Sequence, residues 1–325
     1  MSLPKSVAIS DHGPREGFQF ERAQIPTARK IELINRLSRC GLESIQVASF
    51  VNPKAVPGMA DADEVVQGIE LNPAVRYLPL WLNVAGFHRA LRYRDRLDVF
   101  GSISLTASEA FSRRNNNRSF SENIAAQRDM ARSYDEAGVP ITRGAVLAAF
   151  GCNYEGDIPV GRVLDMIRTI VEIAEEHHAD LQTLTLADTM AWANPASTRR
   201  LVGAVMEQFP RLAISLHLHD TRGLAMANAL AGLEMGVRHY DTSVGGLGGC
   251  PFAGHKGAAG NLCTEDFAFM CEEMGIETGV DLDALIEAAI LAEEIVGHPL
   301  PGSLKMGRPL AAVREQKAKT KERAV

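Results

Sequence analysis

Short runs of strand character alternate with longer stretches of helical spacing along the whole 325-residue chain, and this alternation restricts the fold more than any other feature. Eight runs read as strands: Ser6–Asp11, Ser44–Ser49, Arg76–Asn83, Leu97–Leu105, Thr142–Phe150, Leu181–Asp188, Ala213–Asp220 and Val237–Val244. Apolar residues at helical spacing mark Thr27–Cys40 (Ile31, Leu33, Ile34, Leu37) and Leu224–Met235, and less sharply Asn123–Ala137 and Pro195–Phe209. Pro26-Thr27 and Pro195 stand where helices begin, and Gly41, Gly138 and Gly236 where three helices end just before a strand.

Eight βα units without a shift in composition predict an α/β fold, a (β/α)8 TIM barrel over residues 1–280. Residues 281–325 are expected to form a C-terminal helical extension packed on the barrel, with a helix at Asp281–Val296 and a charged, solvated tail from Arg314. A doubly wound open sheet would require a nucleotide-binding glycine fingerprint after the first strand. Asp11-His12-Gly13-Pro14-Arg15-Glu16-Gly17 is not one.

A net charge of −6 gives no electrostatic reason to expect a nucleic-acid partner. No stretch approaches the roughly 18 consecutive apolar residues of a membrane span, and the N-terminus has no apolar signal-peptide core, so a cytoplasmic protein is expected. Five scattered cysteines without a CxxC pair argue against a disulfide framework or a structural zinc site.

In a barrel the chemistry sits where the C-terminal ends of the strands converge. Polar residues at those ends are Asp11 to Glu16 after the first strand, Asp188 after the sixth, His217 and His219 on the seventh, and Cys250 beyond the glycine-dense run after the eighth. His217 and His219 are two apart, so both project to one face and can hold a divalent metal with carboxylate and amide oxygens. A hydrogen-bonded pair of histidines capping the core is the alternative. Mixed nitrogen and oxygen ligands suit Mg2+ or Mn2+ better than a structural zinc. Arg15 is a candidate to stabilise an oxyanion, or else a surface ion pair; Cys250 is a candidate thiol on a mobile loop, or else an inert apolar residue.

These residues occur within motifs that resemble the 3-hydroxy-3-methylglutaryl-CoA lyases, metal-dependent barrel lyases related to the isopropylmalate and homocitrate synthases. The motifs are GPREGFQFE at 13–21, KIELINRLSRCGLESIQVASFVNPKAVPGMAD at 30–61, ASEAFSRRN at 107–115, GCNYEG at 151–156, LADTMAWANP at 186–195, HLHDTRGLAMAN at 217–228, GGLGGCPFA at 245–253 and GNLCTEDF at 260–267. The resemblance implies Glu16, His217, His219 and Asn261 as metal ligands, Arg15 on the thioester carbonyl, and Cys250 as acid or base on a closing loop. Asp188 and Glu265 match further polar positions of the family site. It also implies an acyl-CoA substrate, a homodimer, and a retro-aldol (reverse Claisen) cleavage, with Asp11 or a water it positions as base. For the family's usual substrate the products are acetyl-CoA and acetoacetate.

The chain departs from that pattern near the expected mouth. The family carries Asp after the motif arginine and Glu four residues before it; here Glu16 and Asp11 are exchanged, which is expected to conserve their combined reach. Gln46 replaces a glutamate at the end of the second strand, Asn153 replaces a proline, and the loop between Cys250 and Asn261 is longer, with His255 and Lys256 inside it. The substrate is accordingly expected to be 3-hydroxy-3-methylglutaryl-CoA or another 3-hydroxyacyl-CoA such as citramalyl-CoA, which would yield acetyl-CoA and pyruvate. A Claisen-type condensing synthase and a non-catalytic binding barrel are the remaining alternatives.

Overall fold

The computed structural model describes residues 3–21, 24–248, 260–310 and 314. Cys250, His255, Lys256 and the tail beyond Arg314 lie outside the described residues. Eight strands run parallel: β1 (Ala8–Asp11), β2 (Ser44–Ser49), β3 (Arg76–Leu80), β4 (Gly101–Thr106), β5 (Ile141–Leu147), β6 (Thr183–Asp188), β7 (Ala213–Leu218) and β8 (His239–Thr242). Their spatial order is β3-β2-β1-β8-β7-β6-β5-β4. The outer two strands meet at the seam, where Asp98, just ahead of β4, donates its backbone N–H to the carbonyl of Tyr77 in β3 at 2.9 Å. The architecture is a (β/α)8 barrel.

A main helix packs after each strand: α1 (Thr27–Leu37), α2 (Ala62–Gly68), α3 (Val84–Leu91), α4 (Phe120–Glu136), α5 (Val160–Glu176), α6 (Pro195–Gln208), α7 (Ala225–Glu234) and α8 (Thr264–Glu273). A later helix, α9 (Leu282–Val296), packs on α1, α8 and the turn after β8. Local chemistry sets the ends. The third strand stops at Leu80 rather than the expected Asn83, because Asn83 caps α3 by accepting the Gly86 N–H. Helix α4 begins before the expected Asn123, since Ser119 and Glu122 form a reciprocal capping box. The fifth strand ends at Leu147, ahead of Ala148 with its φ of 52°. A helix at Glu109–Asn116 and a short hairpin pairing Gly151–Cys152 with Gly156–Asp157 were not anticipated. Among the described residues no helix is long and apolar enough to cross a membrane.

Strand side chains alternate, and the alternation divides the barrel into two environments. Ile9, Ile45, Ile103, Val146, Leu184, Leu186, Ile214, Leu216 and Tyr240 are buried and belong to the apolar core outside the sheet, shared with the helices. Their neighbours Ser10, Ser44, Gln46, Ser104, Thr185, Ser215, His217 and Asp241 line the cavities inside the barrel. The bore is therefore polar and partly hollow, unlike the stacked aliphatic layers that usually fill such barrels.

Gly41, Gly138 and Gly236 have φ values of 79°, 63° and 87°, as expected of glycines that end helices. Their surroundings differ. A Cβ on Gly41 would lie 2.1 Å from the Gly279 carbonyl oxygen, whereas a Cβ on Gly138 would meet nothing within 4 Å. Gly138→Ala is expected to cost only the left-handed penalty of about 1–2 kcal/mol. Gly41→Ala must also displace backbone, and should lower the thermal unfolding midpoint clearly more; equal shifts for the two variants would contradict this account.

Candidate active site

The chain leaves β1 through a wide turn, Gly13–Gly17, in which the Phe18 N–H reaches back to the carbonyls of Gly13 and Arg15. Turns of this width recur at functional sites. Here the turn presents Arg15 and Glu16 to the C-terminal mouth of the barrel. Asp11 fixes it from behind: its Oδ1 accepts the Gly13 N–H at 2.9 Å, and its Oδ2 accepts the Thr264 hydroxyl at 2.6 Å.

Glu16 is 6% exposed and lies at the centre of a charged cluster. Its Oε2 accepts from Arg15 Nη2 at 2.9 Å; its Oε1 lies 3.1 Å from His219 Nε2 and 3.6 Å from His217 Nε2. Burial alone would raise its pKa, but Arg15 and His217 hold it well below the usual carboxylate range. Arg15 also donates from Nε to the Gln46 side-chain oxygen. His219 Nδ1 is anchored 3.0 Å from the Asp188 carbonyl oxygen, and His217 Nδ1 lies 3.3 Å from Asp241 Oδ2. Burial would lower His217, yet Glu16 and Asp241 raise it to about 10.

His12, Arg15, Glu16, Gln46, His217 and His219 face a cavity of about 520 Å3 at the mouth. Its further wall is apolar at Leu78, Leu80, Trp81, Phe111 and Met130. Asn261 is 2% exposed and runs antiparallel beside His219; neither its amide oxygen nor its nitrogen has a hydrogen-bond partner. A buried amide without partners is costly. Donor atoms of His12, Glu16 and His217 lie within 4.8 Å of one another, a mixed nitrogen and oxygen group of a kind that suits a divalent cation, with His219 and the orphaned Asn261 amide beside it.

The structure brings together Arg15, Glu16, Gln46, His217, His219 and the Asn261 segment. It sets three of the expected acids apart. Asp11 and Asp188 share the outward strand faces of Ile9 and Leu186, and Glu265 lies in the first turn of α8. Asp188 Oδ1 accepts the backbone N–H groups of Trp192 and Ala193 at 2.7 and 3.1 Å, and Glu265 Oε2 accepts that of Gly245 at 3.0 Å. None of the three lines the cavity. Asp11 and Glu16 serve different partners: Asp11 the Gly13 N–H and the Thr264 hydroxyl, Glu16 Arg15 and the two histidines. Asn153 accepts from Trp192 Nε1 at 2.6 Å. His12 and Asp241 had no expected role, although His12 shares the inward face of Ser10.

The HMGL-like family model matches residues 6–291. The chain belongs to this family. It is 40% identical over 302 residues to a Bacillus subtilis hydroxymethylglutaryl-CoA lyase, covering 93% of this chain and 97% of that one. A human cytoplasmic 3-hydroxy-3-methylglutaryl-CoA lyase is 41% identical over 287 residues, 88% of this chain and 74% of its own. A solved Acinetobacter baumannii lyase in complex with coenzyme A and 3-methylmalate superposes with a TM-score of 0.85 at 35% identity, covering 96% and 98% of the two chains. This family member is a carbon–carbon lyase.

Burial raises Glu265 from 4.5 to about 7. Its neutral form is the one the fold favours, so its contribution to stability is present below pH 4.5 and is lost as pH rises to about 7. Glu265→Gln removes that contribution, worth on the order of 3 kcal/mol. In chelator-treated protein, the unfolding midpoint of Glu265→Gln relative to wild type is expected to climb across this window and level off above it. A difference that does not vary with pH would show that folding leaves the Glu265 pKa unshifted.

Proposed function

We propose that this lyase is a divalent-metal-dependent enzyme that cleaves 3-hydroxy-3-methylglutaryl-CoA to acetyl-CoA and acetoacetate. The observation that carries the reading is the convergence of Arg15, Glu16, His217 and His219 on one cavity wall beside the orphaned Asn261 amide. A barrel needs none of these residues to fold.

Glu16, His217, His219 and Asn261 would hold Mg2+ or Mn2+. When bound, the cation supplies Lewis acidity toward the substrate hydroxyl and a neighbouring carboxylate oxygen. Arg15 has its Nε and Nη2 groups committed to Gln46 and Glu16 and keeps Nη1 for the thioester carbonyl. The C3 hydroxyl proton passes to water in the cavity, the C2–C3 bond breaks, and its electron pair enters the thioester enolate. Arg15 stabilises the developing oxyanion. Cys250 is assigned the proton that C2 takes up, on the strength of the family motif. Asp11 acts as a positioning residue, since both its oxygens fix the turn that carries Arg15 and Glu16. Asp188 and Glu265 support the site in the same way. The Acinetobacter baumannii complex supports an acyl-CoA substrate here. Likeness to a relative named cytoplasmic supports a cytoplasmic location; the homodimer rests on the family motifs alone.

One observation favours a second substrate. Gln46 accepts from Arg15 through its carbonyl oxygen, so its NH2 group is left over on the cavity wall. A donor there, in place of an anion, suits a carboxylate set closer to C3, as in citramalyl-CoA.

The deciding experiment is mass-spectrometric detection of acetyl-CoA from purified protein with 3-hydroxy-3-methylglutaryl-CoA and Mg2+ or Mn2+. Rapid release that stops with chelator and returns with metal is expected. Asn261→Ala should reduce it at least tenfold and raise the metal concentration required. Acetyl-CoA and pyruvate from citramalyl-CoA alone would move the assignment to that substrate; no product from either would overturn both substrate assignments and point to a different 3-hydroxyacyl-CoA.

A further inference from the structure

His12 follows β1 on the inward face and lines the catalytic cavity at 7% exposure. One of its ring nitrogens, one of His217 and a carboxylate oxygen of Glu16 all lie within 4.8 Å of one another. We propose that His12 is an additional ligand of the divalent cation, giving this chain a third imidazole that biases the site toward Mn2+ and later first-row ions over Mg2+. The inference rests on the reading that the cluster holds a cation.

Two features of the ring support it. His12 Nε2 lies 3.2 Å from the Ser10 hydroxyl oxygen and 3.6 Å from Asp241 Oδ1, and the nearby carboxylate favours the tautomer with the ring proton on Nε2. Nδ1 then keeps its lone pair, and it is buried without a hydrogen-bond partner. Leaving such an acceptor unpaired is costly, and metal coordination removes the cost.

Asp241 ties the two histidines together. Its Oδ2 faces His217 Nδ1 at 3.3 Å while its Oδ1 faces His12, so one carboxylate orients both rings from behind. Second-sphere carboxylates of this kind set the tautomer of ligating imidazoles. The same carboxylate serving a bystander ring and a ligating ring would be an odd economy. Imidazole ligands strengthen binding of Mn2+, Fe2+, Co2+ and Zn2+ far more than that of Mg2+, which prefers oxygen.

The test uses full-length, metal-free protein loaded with MnCl2 or MgCl2. Pulsed electron paramagnetic resonance on the Mn2+-loaded wild type should count three coordinated imidazole nitrogens. Calorimetric titration of His12→Gln should show Mn2+ binding weakened roughly ten- to a hundredfold, Mg2+ binding changed much less, and the count reduced to two. Two nitrogens in the wild type would overturn the inference without any variant. Unchanged Mn2+ affinity in folded His12→Gln, with His217→Ala losing the metal, would overturn the role of His12 but leave the cation site standing. If neither variant loses metal, both the inference and the cation reading fail.

Discussion

A carboxylate sealed from water survives as an anion only where fixed charges and donors replace its hydration. Glu16 is such a group, and the mouth of the barrel is organised around it. Arg15 from the same turn, His217 and His219 from β7 all direct polar atoms to its two oxygens. Those partners need supports of their own: Gln46 behind Arg15, Asp241 behind His217, and the Asp188 carbonyl behind His219. The cluster therefore draws on β1, β2, β6, β7 and β8 together. No single strand can shift without stranding a buried charge.

The other buried acids follow the opposite logic. Burial pushes Asp11 and Asp188 up to about 6 and Glu265 to about 7, with backbone N–H groups and a threonine hydroxyl as their chief partners and no cation bonded to them. Each ties a loop root to the scaffold: Asp11 the turn after β1, Asp188 the loop after β6, and Glu265 the turn after β8. Glu16 is held charged by the cations around it; the other acids are shifted toward the neutral form and brace the loops that present the site. Environment, rather than residue type, divides the two.

This division explains what the chain disclosed before folding and what it withheld. The eight strands were legible because apolar outward residues alternate with polar inward ones at period two. The same period separates Asp11 from the cavity, since it shares the face of Ile9, and delivers His12, which shares the face of Ser10. The strand-end inventory took Asp11 to Glu16 together without parity, and the family resemblance gave a role to Asp11 and none to His12. Asp241 was harder to find. Its role depends on the β7–β8 register, which pairs Asp241 with His217, and no local spacing encodes a register between two strands. The helix at Glu109–Asn116 carries charge on much of its surface, so apolar periodicity could not announce it; its signal was the Ser108 cap.

The polar bore has an energetic corollary. Barrels of this class usually gain stability from aliphatic layers on the axis, but here Ser10, Ser44, Ser104, Thr185 and Ser215 occupy that axis. The compensation lies in the annulus outside the sheet, where Leu184, Leu186, Leu216 and Tyr240 are at most 1% exposed and Phe267 of α8 packs on Tyr240 with ring centroids 4.5 Å apart. Separating the two functions leaves the axis free to carry hydroxyls, imidazoles and carboxylates at little further cost to the core. His12, His217 and Asp241 occupy positions where an aliphatic barrel would need leucine or valine. A catalytic cluster of this density is thus compatible with a stable fold because the hydrophobic work has been moved off the axis.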